Sequence, residues 1–371
     1  VLSMKKIFTL LMVVLFSAAA SAQYYQLPFI NAGENPGGLN TDEDQTAAYM
    51  LGNYTGYTQV LNPSDADWTA AQTIPFSFTF NGTAYTSVYI APTGIVSFTA
   101  TTGAAPTNNV ALPTATIPDN SICAWGVNLS GANDGVIVKT HGTAPNRQYW
   151  VTWASVSWAQ GGGWSYWSIV LEETTNKVYI VDARTYISSG TNLELTAGIQ
   201  FNSTSAMSIP GSPALASVTT NGGSDFGPAD NSYYAFIPGT QPDYDAAISN
   251  LDMPNYLKLA TGGADVMATV TNLGAQTITS LEMEYTATGG TPVTGTVTGL
   301  SIAPGASATV THPTTWNPTT EANFNIDCSV TQVNGNADSD MSNNTTSTSV
   351  ITFTDSYPRK VLYETFTSST C

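Results

Sequence analysis

Apolar and polar positions alternate along most of the chain. Ile74-Pro75-Phe76-Ser77-Phe78-Thr79-Phe80 places every second side chain apolar, the period of a strand with one buried face. Asn81-Gly82 follows, a pair that accepts the positive φ of a tight hairpin, and residues 85–90 return. Pro92-Thr93-Gly94 turns the chain again into 95–98. Further strands are predicted over 135–140, 148–158, 164–172, 177–182, 193–201 and 233–237. Gly161-Gly162-Gly163 and Thr174-Thr175-Asn176 lie among the turns between them. No helical period is sustained beyond the first two dozen residues. This spacing of short strands and turns suits an antiparallel sandwich.

Pro238-Gly239-Thr240-Gln241-Pro242 interrupts the pattern and reads as a linker. A second strand series follows, over 265–272, 280–288, 293–300, 307–311 and 323–333. Its length, 244–353, is close to that of an immunoglobulin-like sandwich. A further apolar stretch begins after Tyr357-Pro358-Arg359-Lys360. The expected fold class is therefore all-β: tandem antiparallel β-sandwiches, 23–238 and 244–353, joined by 239–243, the second immunoglobulin-like.

The N-terminus has a different character. Lys5 and Lys6 precede an apolar run over 7–17, and Ala18-Ala19-Ala20-Ser21-Ala22 ends it before Gln23. Basic, apolar and small-residue parts in that order make a cleaved secretory signal over 1–22, with Met4 as its start. The run falls short of the ~20 apolar residues of a membrane span. An exported protein with no membrane span in its mature chain is expected.

Composition narrows the partners. Of nine Lys and Arg, two are Lys5 and Lys6; seven then face 26 acidic residues. Such a surface repels nucleic acid and anionic lipid headgroups, which bind through positive patches. A protein or a glycan at the cell surface is the expected partner. Ser, Thr, Asn and Gly solvate the chain in place of charge, as in many extracellular β-proteins.

Several segments carry family resemblances. The first resembles an N-terminal β-domain of Gram-negative proteins secreted by the type IX pathway. The likeness rests on Gly33-Glu34-Asn35-Pro36-Gly37-Gly38-Leu39-Asn40-Thr41-Asp42, 74–82, Ile117-Pro118-Asp119-Asn120-Ser121, 164–182 and Asn231-Ser232-Tyr233-Tyr234. It implies a final address at the outer membrane surface or outside the cell, by way of the periplasm. The second resembles the CARDB group, cell-adhesion-related bacterial domains of immunoglobulin-like fold. Its marks are Asp245-Ala246-Ala247-Ile248, Val270-Thr271-Asn272-Leu273-Gly274, Leu300-Ser301-Ile302-Ala303-Pro304-Gly305 and the run Asp338-Ser339-Asp340-Met341-Ser342-Asn343-Asn344. Asn272 and Gly274 are expected to supply turn conformations, and Pro304-Gly305 to pre-set another. The last, 357–371, resembles the start of thioredoxin-like α/β domains of outer-membrane-associated proteins, in which a strand and a Ser/Thr-rich loop lead to Cys-x-x-Cys. Cys371 would match the first, attacking cysteine. The second cysteine and the helix are absent, so a truncated stub is expected.

Candidate chemistry is sparse. His141 and His312 have no Cys, Glu or second His at metal-ligand spacing, and both read as surface-loop histidines. No glycine-rich loop opens onto a helix. Cys123 and Cys328 sit in apolar strands, as buried inert thiols do. No cofactor is called for. Calcium is the one ion the acidic clusters could take, at Asp42 and Asp44 (with Glu43) or at Asp338 and Asp340. Calcium wants six to eight oxygen ligands, so solvated acidic loops are the alternative. Trp150, Trp153, Trp158, Trp164 and Trp167 crowd one hairpin. Trp158 and Trp164 flank its tip, either as core or as a flat platform for a sugar ring or a partner.

These patterns lead to an exported, outer-surface or extracellular modular protein. Its β-modules make contacts or present a thioredoxin-like domain that begins at 357. The alternative is an adhesin-like or carbohydrate-binding protein in which the β-modules themselves carry the function.

Overall fold

A computed structural model describes residues 24–30, 36–40, 56–187, 193–215 and 232–354. Among them the only helical segments are single 3-10 turns at Pro36–Gly38 and Leu259–Thr261. The chain divides into two compact units, Val1–Gln241 and Pro242–Cys371.

The first unit packs one sheet of eight strands on one of six. The larger runs, edge to edge, through Tyr24–Ile30, Ser232–Pro238, Val178–Ile187, Gly163–Glu172, Gln148–Trp158, Gly135–His141 and Thr58–Leu61. Val127–Asn128 pairs beside Trp158. The smaller runs through Ser205–Ser208, Thr196–Asn202, Ser121–Trp125, Ile95–Ser97, Thr83–Ala91 and Gln72–Phe80. Every named pairing is antiparallel.

The alternation in 74–80 does what its pattern demands: Ile74, Phe76, Phe78 and Phe80 all point into the core. Asn81 and Gly82 take φ 48° and 75° between the paired Phe80 and Thr83, the two-residue turn that the Asn-Gly pair favours. From the other sheet, Val151, Trp153, Trp167, Ile169 and Ile180 close on them. The region 193–201, read as one strand, is broken into Leu193–Glu194 and Thr196–Asn202. The amide of Leu195 bonds the carbonyl of Leu193, which takes it out of the ladder.

The middle strands of the larger sheet are buried on both faces. Trp150, Thr152, Ser168 and Val170 face away from the core and are nonetheless covered. Their hydroxyls pair: Thr152 and Ser168 lie 2.8 Å apart. Gln148 ties this face to the short N-terminal turn, donating to the carbonyl of Pro36 at 3.0 Å.

The second unit is a smaller sandwich. One sheet holds Ala246–Asp252, Met267–Asn272 and Ser307–Thr311. The other holds Tyr256–Lys258, Thr345–Phe353, Asn323–Val333, Ile278–Ala287 and Val293–Ile302, with Asn336–Ala337 beside Asn323–Val333. Only Tyr256–Lys258 runs parallel to its neighbour. Ile248, Val270 and Val310 meet Leu281, Met283, Ile326, Val330 and Val350 between the sheets.

One turn was legible and one was misread. Gly305 has φ 79°, and the amide of Ala306 bonds the carbonyl of Ala303, so Pro304-Gly305 forms a turn of the second type. Gly274 supplies closeness instead of a turn conformation. A Cβ there would stand 2.5 Å from the carbonyl oxygen of Asp243. Asn272 is fully buried. Its Nδ2 donates to the carbonyls of Gln276 and Ile302 at 2.8 Å each, and its Oδ1 accepts from the amide of Gly274.

Candidate functional site

A cluster of carboxylates and amides lies at one end of the second unit. Asp245 stands just before the strand Ala246–Asp252. Asp338 and Asp340 lie in the turn that precedes Thr345–Phe353. The sandwich brings these distant segments together: the amide of Ile248 bonds the carbonyl of Asn343, and the amide of Ser339 bonds that of Tyr244. Asp338 Oδ2 accepts from the amide of Ala246 at 2.8 Å and Oδ1 from that of Asp340 at 2.9 Å. Asp340 Oδ1 accepts from the amide and hydroxyl of Ser342. Asn343 Nδ2 donates to Asp245 Oδ1 at 3.2 Å.

Asp245 and Asp338 are buried and Asp340 is exposed. Burial, which disfavours the charged form, pushes the Asp245 carboxyl up to about 6. The Asn343 amide opposes that rise, and the charges of Asp338 and Asp340 add to it. Burial also raises Asp338, against the pull of the amides of Asp340, Ala246 and Asn344. The reading of 338–340 as a solvated loop therefore holds for Asp340 only. Asp245, not singled out from the sequence, belongs to the cluster.

The tryptophan hairpin divides differently from its sequence spacing. Trp158 is core: it is 2% exposed, edge-on to Trp167, and donates Nε1–H to the carbonyl of Tyr186 at 3.2 Å. It is no part of a surface platform. A bulge is the reason. Ser155 takes φ 59°, and the ladder slips by one residue there, so Trp153 and Trp158 face the same side although five residues apart. Trp164 is half-buried and stacks on Tyr186 with ring centres 5.8 Å apart.

Both histidines are buried, contrary to the surface-loop expectation. His141 sits edge-on to Trp150. His312 packs edge-on to Tyr285, centroids 4.8 Å apart, with Nδ1 accepting from the amide of Thr314. Cys123 and Cys328 are buried free thiols, and burial raises both above the ordinary thiol value, Cys328 to about 11. Asp42, Asp44 and Cys371 lie outside the described residues. Among the described residues no three His, Cys, Asp or Glu side chains stand close enough to hold a metal ion between them. None of the described helices is long and apolar enough to cross a membrane.

Two all-β units, each closed around its own core, define a modular β-sandwich protein. The family model for NIDO-related domains matches residues 42–238, more than half of the chain, and the chain belongs to that family. No curated protein matches it. Part of the chain is similar to the crystal structure of the CARDB domain of a Pyrococcus furiosus protein in complex with di-metal ions. That likeness has 21% identity, covers 31% of this chain and 94% of that one, and has a TM-score of 0.25. It is also similar to the solution NMR structure of that domain, at 20% identity over 30% of this chain and 99% of that one, with the same TM-score.

Proposed function

We propose that the chain is an exported modular protein of the outer surface or extracellular space. Its β-units make contacts there or present a thioredoxin-like domain that starts at 357. The observation that carries the reading is the division into two β-units with separate cores. Each can hold its outer faces in place without the other. The outer face of the second unit fits a contact role: Asn323, Asn325 and Asp327 alternate with inward Ile326 and Cys328 and are exposed. Export rests on the basic, apolar and small-residue order of 1–22. The outer address rests on the type IX resemblance, and the immunoglobulin-like assignment on the CARDB-like motifs. Protease treatment of intact producing cells tests this reading. Digestion of the chain in unlysed cells is expected; full protection until lysis, with 1–22 still attached, overturns it.

A second reading, contact with a glycan, rests on the half-buried stack of Trp164 on Tyr186. Flat paired rings suit a sugar face. Glycan-array binding that vanishes in Trp164→Ala supports it; binding that survives that change sinks it.

A further inference from the structure

The geometry points to the edge strand Val293–Ile302 of the second unit as a site that takes up an extended, basic segment of a partner protein by strand addition. The inference deepens the contact role proposed above and rests on it. It begins from the edge itself. Val293–Ile302 runs ten residues, while the other edge strands of the unit run seven, five and three. Its backbone pairs with Ile278–Ala287 on one side. Among the described residues no other segment bonds the backbone of 293–301, so alternate amides and carbonyls face outward unpaired. Natural sheets blunt such edges with charge, proline, bulges or shortness. This strand holds no Lys, Arg, Asp, Glu or Pro. Its register shift lies past Thr298, and Val293 to Thr298 pair without interruption with Tyr285 back to Ser280. The edge Ala246–Asp252, by contrast, is bulged between Ile248 and Asn250 and ends on a charge.

The second observation concerns the core. Val293 and Val297 pack against it but are only half-buried, whereas Tyr285 and Leu281, their partners across the ladder, are buried. Between the two valines, a Cβ on Gly295 would stand 2.4 Å from Pro313 Cγ, so the chain at Pro313 passes beneath the strand. The rim of the core is open along this edge. Apolar side chains on an added strand would close it, lying beside Val293 and Val297.

Charge selects the occupant. On the outer face of the same ladder, Glu284 pairs with Thr294 and Glu282 with Thr296. Glu284 accepts from the Thr294 hydroxyl at 3.2 Å and Glu282 from that of Thr331 at 2.8 Å, and neither has a basic partner among the described residues. Lys258 is the only Lys or Arg in 242–354, and it lies on the strand at the opposite edge of this sheet. An added strand would run two strand spacings, ~10 Å, from the glutamate strand, a gap that a Lys or Arg side chain spans. A second copy of Val293–Ile302 offers only threonines there. In strand addition the main chain supplies affinity and alternate side chains supply selectivity. The fitting segment therefore alternates apolar residues, facing the valines, with basic ones, facing the glutamates.

The test uses the full chain and a short fluorescent peptide of alternating Lys and Val. Anisotropy is expected to show saturable binding, and hydrogen exchange within 293–301 to slow when the peptide is present. The same peptide N-methylated at every backbone amide keeps its charge but has no donors for a ladder, and should not bind. Glu282→Gln combined with Glu284→Gln should weaken binding about two- to fivefold, the worth of an exposed ion pair. Val297→Lys puts a charge into the edge, the block that natural sheets use, and should abolish binding; if that variant fails to fold, the N-methylated peptide decides. No binding at millimolar peptide, equal binding of the N-methylated form, or binding retained in folded Val297→Lys overturns the site. Unchanged affinity in the double glutamine variant overturns the basic partner. Self-association of the peptide-free chain that Val297→Lys abolishes would overturn it too, by giving the edge to a second copy. Failure of any of these leaves the outer-surface reading standing, because that reading falls only on protease protection in intact cells.

Discussion

The indole Nε1 of Trp153 donates a 2.9 Å hydrogen bond to the carbonyl of Ala91, from one sheet of the first unit to the other. Trp153 is fully buried. It therefore acts twice, as one of the largest apolar plugs between the sheets and as a fixed point of their spacing. Trp153→Ala is expected to destabilise the first unit by about 3–5 kcal/mol, as truncation of a buried aromatic does. Trp153→Phe keeps much of the volume and strands one buried acceptor, at about 1–3 kcal/mol. Urea unfolding of each variant checks the order. Trp164→Ala, at a half-buried position, should cost less than either.

What could be read in advance was local. The alternation of 74–80, the Asn81-Gly82 hairpin and the Pro304-Gly305 turn are set by residues next to one another, so the sequence displays them. What was misread depended on partners far along the chain. Trp158 looked free to face outward because the shift at Ser155 leaves no mark in composition. His312 was rightly placed in a loop but taken for a surface residue, because nothing near it shows that Tyr285 packs on its ring. Asp245 was read only as part of a CARDB-like motif, and its nearness to Asp338 was missed for the same reason. Only the meeting of the first strand of the unit with the turn before its last brings their carboxyls together.

Asn272 contacts three backbone groups with one amide, and two of them, the carbonyls of Gln276 and Ile302, accept from its Nδ2. Removing it in Asn272→Ala leaves the carbonyls of Gln276 and Ile302 without that partner, while the amide of Gly274 keeps its bond to the carbonyl of Asp245. At about 1–3 kcal/mol for each buried group left unmet, the change should remove a large part of the second unit's stability. Thr271→Ala next to it loses only an exposed bond to Ser307 and should shift Tm little. Thermal melts of the two variants side by side decide this. Equal, small shifts would mean that water replaces the Asn272 amide.

Asp245 makes the second unit pH-sensitive in a stated direction. Its carboxyl stands at about 6 in the folded chain, against 3.8 for an ordinary aspartate. Between those values the folded state binds the proton that the unfolded state has released. Stability therefore falls as pH rises from about 4 to about 6 and stays lowered above it. Asp338 is shifted in the same direction and adds to the slope. In EDTA, Asp245→Asn should flatten the profile and leave the unit at least as stable at neutral pH, because the amide keeps an acceptor for Asn343 without the charge. Denaturation at a series of pH values reads this directly. An unchanged slope in the variant would assign the pH dependence to other groups.

Cys123 and Cys328 should be silent in the native protein. Both thiols are buried. Burial holds both above the ordinary thiol range, Cys328 at about 11 and Cys123 higher still. The thiolate is the species that attacks disulfide reagents, so each thiol is held back twice, by lack of access and by lack of ionisation. In a Cys371→Ser background, native protein at about pH 8, near the ordinary thiol value, should give no reaction with an aromatic disulfide reagent on the timescale in which free thiol is consumed. Two equivalents should appear on addition of denaturant. Because each thiol reports on a different core, the denaturant dependence of the two reactions separates the stabilities of the units. Cys123 follows the opening of the first sandwich and Cys328 that of the second. Rapid native labelling of Cys328 would show that the inner face of the strand Asn323–Val333 opens without global unfolding, in conflict with the close packing of Ile326, Cys328 and Val330.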